Sequence, residues 1–205
     1  MRTSIANLIP LLLLMACSAG TDPAEQGAGA AGAEIAAGVP DTEIYLAELA
    51  WHPHGPIMGE PRNITRRAGY DNQPKFMPDG RSLVYSSIRD GVQSDIYHYL
   101  IDEDQAVAYA LTAESEYSPT PMPDGSGISV VRVEADGTQR LWRFPAANAQ
   151  PGVLFPDARG VGYHAWLPGG QVAMFIVPEH ATRPPTLLLA GPGAGEARTI
   201  AEATG

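Results

Sequence analysis

The sequence predicts an all-β chain: a β-propeller of four-stranded antiparallel blades, with about three and a half blades present. Three observations predict it. Met77-Pro78-Asp79-Gly80 returns as Met122-Pro123-Asp124-Gly125 and again as Leu167-Pro168-Gly169-Gly170, at steps of 45 residues. A fixed period in the forties marks propeller blades. Gly 22 and Pro 19 in 205 residues imply many turns between short strands. No stretch combines the length and the 3.6-residue period of a solid helix.

The chain opens with a basic residue, Arg2, and an apolar run from Ile5 to Ala16. The run is too short for a membrane span, which needs about 20 apolar residues. It reads as a secretory signal. Leu14-Met15-Ala16-Cys17 resembles a bacterial lipobox, in which cleavage precedes a Cys that then carries lipid; Cys17 is the only Cys of the chain. Residues 1–16 are therefore expected to be a lipoprotein signal peptide. In lipoproteins of this kind, Ser18 rather than Asp after the Cys favours the outer membrane. Residues 17–41 are Ala, Gly and a few acids, too poor in apolar surface to order themselves, and are expected to form a tether.

The repeats occupy residues 42–205. A half-blade is expected over 42–66 and full blades over 72–112, 117–155 and 162–201. In the first full unit the expected strands are Gln73–Met77, Arg81–Ser87, Asp95–Leu100 and Val107–Thr112. Pro78-Asp79-Gly80 turns between the first two, since Pro presets its φ and Gly accepts a positive one. Leu83, Val84 and Tyr85 supply β-forming side chains to the second strand. Asp95-Ile96-Tyr97 recurs as Arg140-Leu141-Trp142, Thr186-Leu187-Leu188 and, earlier, Glu43-Ile44-Tyr45. These positions place Tyr85, Ile96, Trp142 and Phe175 in the expected core.

DNQPKFMPDGRSLVYSSIRDG, SDIYHY and ALT, in that order, resemble the TolB-type propeller repeat of bacterial envelope proteins. The second unit departs from the pattern with Pro121 where the first has Phe76, and the third with Gly169 where the first has the turn residue Asp79. The resemblance implies a non-catalytic platform that binds an envelope protein, which in TolB-like proteins can be a peptidoglycan-associated lipoprotein. It implies a periplasmic location and no cofactor. Propellers close with about 4–8 blades. The expectation is therefore that the sequence is a truncated product or that copies associate through uncovered blade faces.

Composition narrows the chemistry. With a net charge of −10 and no basic patch denser than Arg62, Arg66 and Arg67, nucleic acid is not an expected partner. One Cys excludes an internal disulfide and a Cys-based zinc site. His52-Pro53-His54 reads as a Pro-bounded loop. Gly191-Pro192-Gly193-Ala194-Gly195 lacks the Lys-Ser/Thr of a phosphate loop. There is no G-x-S-x-G elbow for a serine hydrolase. Two enzyme classes remain alternatives to a binding platform: a lyase-like or sugar-binding propeller for an extracellular polysaccharide, and the propeller part of a split prolyl-oligopeptidase-like peptidase.

In a propeller, the connection from strand four of one blade to strand one of the next lies on one face, near the central channel. Here those connections carry Asp71, Asn72 and Gln73, then Glu116, Tyr117 and Ser118, then Tyr163 and His164. These eight residues are the candidate binding site, and Asp71 and Glu116 are expected to make its rim acidic. No catalytic and no metal-binding residues are assigned.

Overall fold

A computed structural model describes the backbone of residues 15–17 and, in full, residues 40–146, 150–191 and 197–202. Every regular element among the described residues is a strand. Three antiparallel four-stranded sheets follow one another along the chain. The first holds β6 (Tyr70–Phe76), β7 (Ser82–Ile88), β8 (Ser94–Leu100) and β9 (Gln105–Ala110). The second holds β10 (Ser115–Pro121), β11 (Gly127–Val133), β12 (Gln139–Pro145) and β13 (Gly152–Val153). The third holds β14 (Val161–Trp166), β15 (Val172–Ile176), β16 (Thr186–Ala190) and β17 (Arg198–Glu202). In each sheet the strands lie in chain order, so each is a meander.

Ahead of them, β2 (Glu43–Leu46) lies between β1 (Met15–Cys17) and β5 (Arg62–Asn63), and β3 (Leu49–His52) pairs, among the described residues, only with β4 (Gly55–Met58). In β1, Cys17 pairs opposite Glu43. The rest of the expected signal peptide and the tether up to Val39 lie outside the described residues. The hairpin β3–β4 replaces the loop expected around His52-Pro53-His54: the Pro occupies its tip, where no ladder hydrogen bond is required of it.

The turn after strand one shows why the repeat is legible. Met77 N–H donates to the Ser82 carbonyl, Gly80 N–H donates to Met77, and Gly80 has φ 65°. Asp79 accepts from the N–H groups of Arg81 and Ser82 and from the Ser82 hydroxyl. Met122 and Gly127 close the second turn in the same way. In the third, Leu167 bonds Gln171, so the turn is one residue tighter, with Gly169 and Gly170 both at positive φ.

Alternation sends successive residues of a strand to opposite faces. In β7, Leu83 and Tyr85 pack with Ile44, Leu46, Ile64 and Tyr99 against the half-blade. Val84, between them, packs with Ile96, Ile128, Val130 and Phe144 against the second sheet. A third cluster joins Val131 and Leu141 to Val161, Val172 and Met174 of the third sheet. A strand covered on both faces is apolar at consecutive positions, and all seven residues of β7 are buried.

Tyr85 and Ile96 are fully buried, as expected, and Trp142 is half-buried. Phe175 corrects the expectation. Its register partners are Tyr163 and Leu187, on the face turned away from the second sheet, and it is 36 % exposed. Val172 and Met174, on the other face of β15, take the buried places.

Candidate functional site

The inner strands β6, β10 and β14 position the candidate residues. In β6 and β10 the ladder breaks at one place, between Asn72 and Lys75 and between Tyr117 and Thr120. Gln73 and Ser118 occupy these bulges at φ 56° and 53°, each followed by a Pro that offers no N–H to the ladder. The bulges join the blades: Gln73 Oε1 accepts from Ser118 N–H at 2.7 Å and from the Ser86 hydroxyl at 3.1 Å. The Asn72 side chain accepts from Gln73 N–H.

Asp71 and Glu116 do not form an acidic rim. Both are wholly buried. Asp71 accepts from the Ser87 hydroxyl at 2.6 Å and pairs with Arg67 at 2.9 Å, while Arg67 also donates to the Ile88 carbonyl. Glu116 accepts from the Thr112 hydroxyl at 2.7 Å and from Arg132 Nε at 2.9 Å. Burial raises the Glu116 pKa, while Thr112 and Arg132 pull it the other way. The two carboxylates stand 45 residues apart and tie strand one to strand two in successive blades.

The groups at the strand-one entries are aromatic and polar, with Lys75 beside His164. Tyr70, Tyr117 and Tyr163 stand near the starts of the three inner strands. Burial pushes the Tyr70 hydroxyl up to about 12, and the neighbouring Tyr117 and Tyr163 add to the rise. Tyr163 is 61 % exposed. Beside it, His164 Nε2 lies 2.6 Å from Ser129 Oγ, which also receives Trp166 Nε1–H at 2.9 Å and reaches the Thr120 carbonyl at 3.2 Å. With the Ser129 proton on that carbonyl, His164 donates through Nε2 and Nδ1 carries the bare lone pair. Among the described residues, His164 Nδ1 and Ser118 Oγ are both buried without a hydrogen-bond partner. Ser129 is itself wholly buried, so the Ser129–His164 pair is a link between blades and no nucleophile is presented.

Burial, then the charge of Lys75, lowers His164 to about 4. The unfolded chain therefore binds a proton that the folded chain refuses between about pH 6.5 and 4, and stability falls as pH falls through that window. The contribution is on the order of 3 kcal/mol at most. His98, also lowered by burial, acts in the same direction. Denaturant midpoints at pH 7 and pH 4.5 should therefore converge in His164→Gln relative to the parent, leaving the smaller His98 slope. An unchanged pH dependence in the variant would contradict this environment for His164.

Lys75, Ser129, Trp166, Arg67 and Arg132 belong to the site and were not among the sequence candidates. Cross-strand register brings Ser129 and Arg132 to it, Lys75 and Trp166 share the inner strands of the candidates, and Arg67 stands four residues before Asp71. A cleft of about 420 Å³ opens on the third sheet, lined by Arg159, His180 and Arg183 among others. It lies at the end of the strands that holds the channel-side connections.

No family model matches the chain, and no curated protein matches it. Solved structures do. A TolB-designated protein of Agrobacterium tumefaciens superposes with a TM-score of 0.66 at 23 % identity, covering 79 % of this chain and 57 % of that one. TolB from Acinetobacter baumannii gives 0.60 at 16 % identity, covering 78 % and 41 %. A puromycin-hydrolysing peptidase of Mycobacterium tuberculosis gives 0.51 at 13 %, covering 74 % and 28 %. The fold is that of a β-propeller, similar to the propellers of these TolB structures, and the chain spans somewhat over half of the first of them and less than half of the second.

Proposed function

We propose that the protein is a lipid-anchored, non-catalytic platform of the bacterial envelope, held at the outer membrane through Cys17, whose channel face binds a protein partner. The partner class that the TolB-like repeat implies is a peptidoglycan-associated lipoprotein. One observation carries the reading: three blades bring Tyr70, Tyr117 and Tyr163 close together at the starts of their inner strands, with Tyr163 61 % exposed. An exposed Tyr backed by neighbouring Tyr rings is the composition of an interface anchor. The likeness to TolB structures supports the scaffold, and Leu14-Met15-Ala16-Cys17 supports the anchor.

Two measurements test it. Fatty-acid labelling in cells should mark the parent and not Cys17→Ser; equal labelling of both would reject the anchor. In binding assays with a purified peptidoglycan-associated lipoprotein, Tyr163→Ala should weaken the complex about thirtyfold, as loss of a central interface Tyr costs about 2 kcal/mol. Val107→Ala, on the outer strand β9, should leave it unchanged. Equal affinities for all three proteins would reject the channel face.

A further inference from the structure

β3 and β4 project from the half-blade and, among the described residues, pair with no other strand. Their register puts Leu49, Trp51, Pro56 and Met58 on one face and Ala50, His52 and Ile57 on the other. Trp51 is 64 % exposed, Ile57 55 % and Met58 50 %. Both faces of the ribbon therefore hold large apolar groups in solvent. Between Glu48 and Glu60 there is no Lys, Arg, Asp or Glu, in a chain of net charge −10. A lone two-stranded hairpin is at best marginally stable in water.

A ribbon that docks into a protein groove needs one apolar face. Apolarity on both faces, with charge excluded along the whole ribbon, fits a medium that surrounds it. Trp belongs at the boundary of such a medium, where its ring is buried and its N–H stays wet. We propose that the β3–β4 hairpin inserts into the interfacial layer of a lipid bilayer, as a membrane contact separate from the lipid on Cys17. The inference rests on the envelope reading only in requiring that a membrane be nearby.

The insertion would set the orientation of the propeller. β5 runs from the hairpin end of the half-blade to the connection that leads into β6. The hairpin and the channel-side connections thus lie at opposite ends of the strands. With the hairpin in the bilayer, the channel-side end that carries the exposed Tyr163 lies away from the membrane, toward a partner.

The test uses the full chain with Cys17→Ser and one new Cys, at Ile57→Cys in the hairpin or at Val92→Cys in the β7–β8 turn. Val92 is 73 % exposed and lies at the channel-side end, and both positions are on the surface, so neither change disturbs the core. Each Cys carries a bimane label. The vesicles are phosphatidylethanolamine and phosphatidylglycerol with a doxyl lipid as quencher. The label at 57 should be quenched severalfold more than the label at 92. Adding Trp51→Ser and Met58→Ser should reduce quenching at 57 to the level seen at 92. Equal quenching at the two positions overturns the proposal, whether the protein stays in solution or adheres by another surface. So does a label at 57 that is shielded without lipid and becomes exposed on dilution, which would show the hairpin docked on a second copy. Lipidation is scored separately by fatty-acid labelling, so either idea can fail without the other.

Discussion

Arg132→Ala should destabilise the protein by about 3–5 kcal/mol, the range for removing one partner of a buried ion pair. Arg132 is 8 % exposed and donates through Nε to Glu116, which is wholly buried. Its guanidinium also stacks 4.5 Å from the Trp142 ring and 5.0 Å from that of Phe144. Removing it strips packing from two aromatic rings and leaves a buried carboxylate. Thr112 remains bonded to Glu116 Oε1, while Oε2 is already without a partner among the described residues. Glu116 would then ionise still less readily. Because its pKa is raised in the folded state, the loss should shrink as pH falls and the unfolded chain also takes up the proton. Adding Glu116→Gln should recover part of the loss at pH 7, since the buried charge is gone. The measurement is the urea midpoint at unchanged m. A loss below about 1 kcal/mol, within the range of an exposed pair, would mean that Glu116 and Arg132 are reached by water.

Tyr85→Ala should cost a similar amount, about 3–5 kcal/mol, the range for truncating a large buried aromatic. Tyr85 is fully buried in the middle of β7, between Leu83 and Ile64 on the half-blade side, with its ring 6.1 Å from that of Tyr97. Its hydroxyl accepts from Arg89 at 3.1 Å, so truncation also removes a charge-assisted hydrogen bond. Burial pushes that hydroxyl up to about 12, despite the opposing charge of Arg89. Phe175→Ala is the control for register. Phe175 lies on the uncovered face of β15, so its truncation should cost well under half as much. Equal costs at the two positions would place Phe175 against a neighbour on that face.

The turn chemistry was open to reading from the chain. Asp79-Gly80 and Asp124-Gly125 are local devices: Asp79 accepts from the N–H groups two and three residues on, Asp124 from the one two residues on, and each Gly takes the positive φ. Such signals require only adjacent residues, so they recur at 45-residue steps wherever the hairpin recurs. The candidate site was legible in part for the same reason. Gln73 and Ser118 occupy equivalent repeat positions, and both sit in the bulge of strand one.

The roles of Asp71 and Glu116 were not legible. Each looked like a rim carboxylate because one of its two partners lies across the strand pair, Ser87 and Arg132 standing 16 residues on, while Arg67 and Thr112, four residues before, show no pairing until the chain folds. Phe175 failed for a related reason. Period-two alternation assigns a residue to a face but does not say which face finds a neighbour. The half-blade gave no hint of an exposed hairpin, since an apolar stretch such as Leu49 to Met58 reads the same whether it is buried or not.

By itself the sequence determined the all-β class, the blade repeat and the turns, carried by local signals that recur at 45-residue steps. Only the tertiary structure decided which carboxylates are buried, which aromatic rings face solvent and where Ser118 Oγ and His164 Nδ1 are left unpartnered. Those outcomes depend on which strand packs against which, and burial and charge pairing are properties of neighbours that the chain brings together only when it folds.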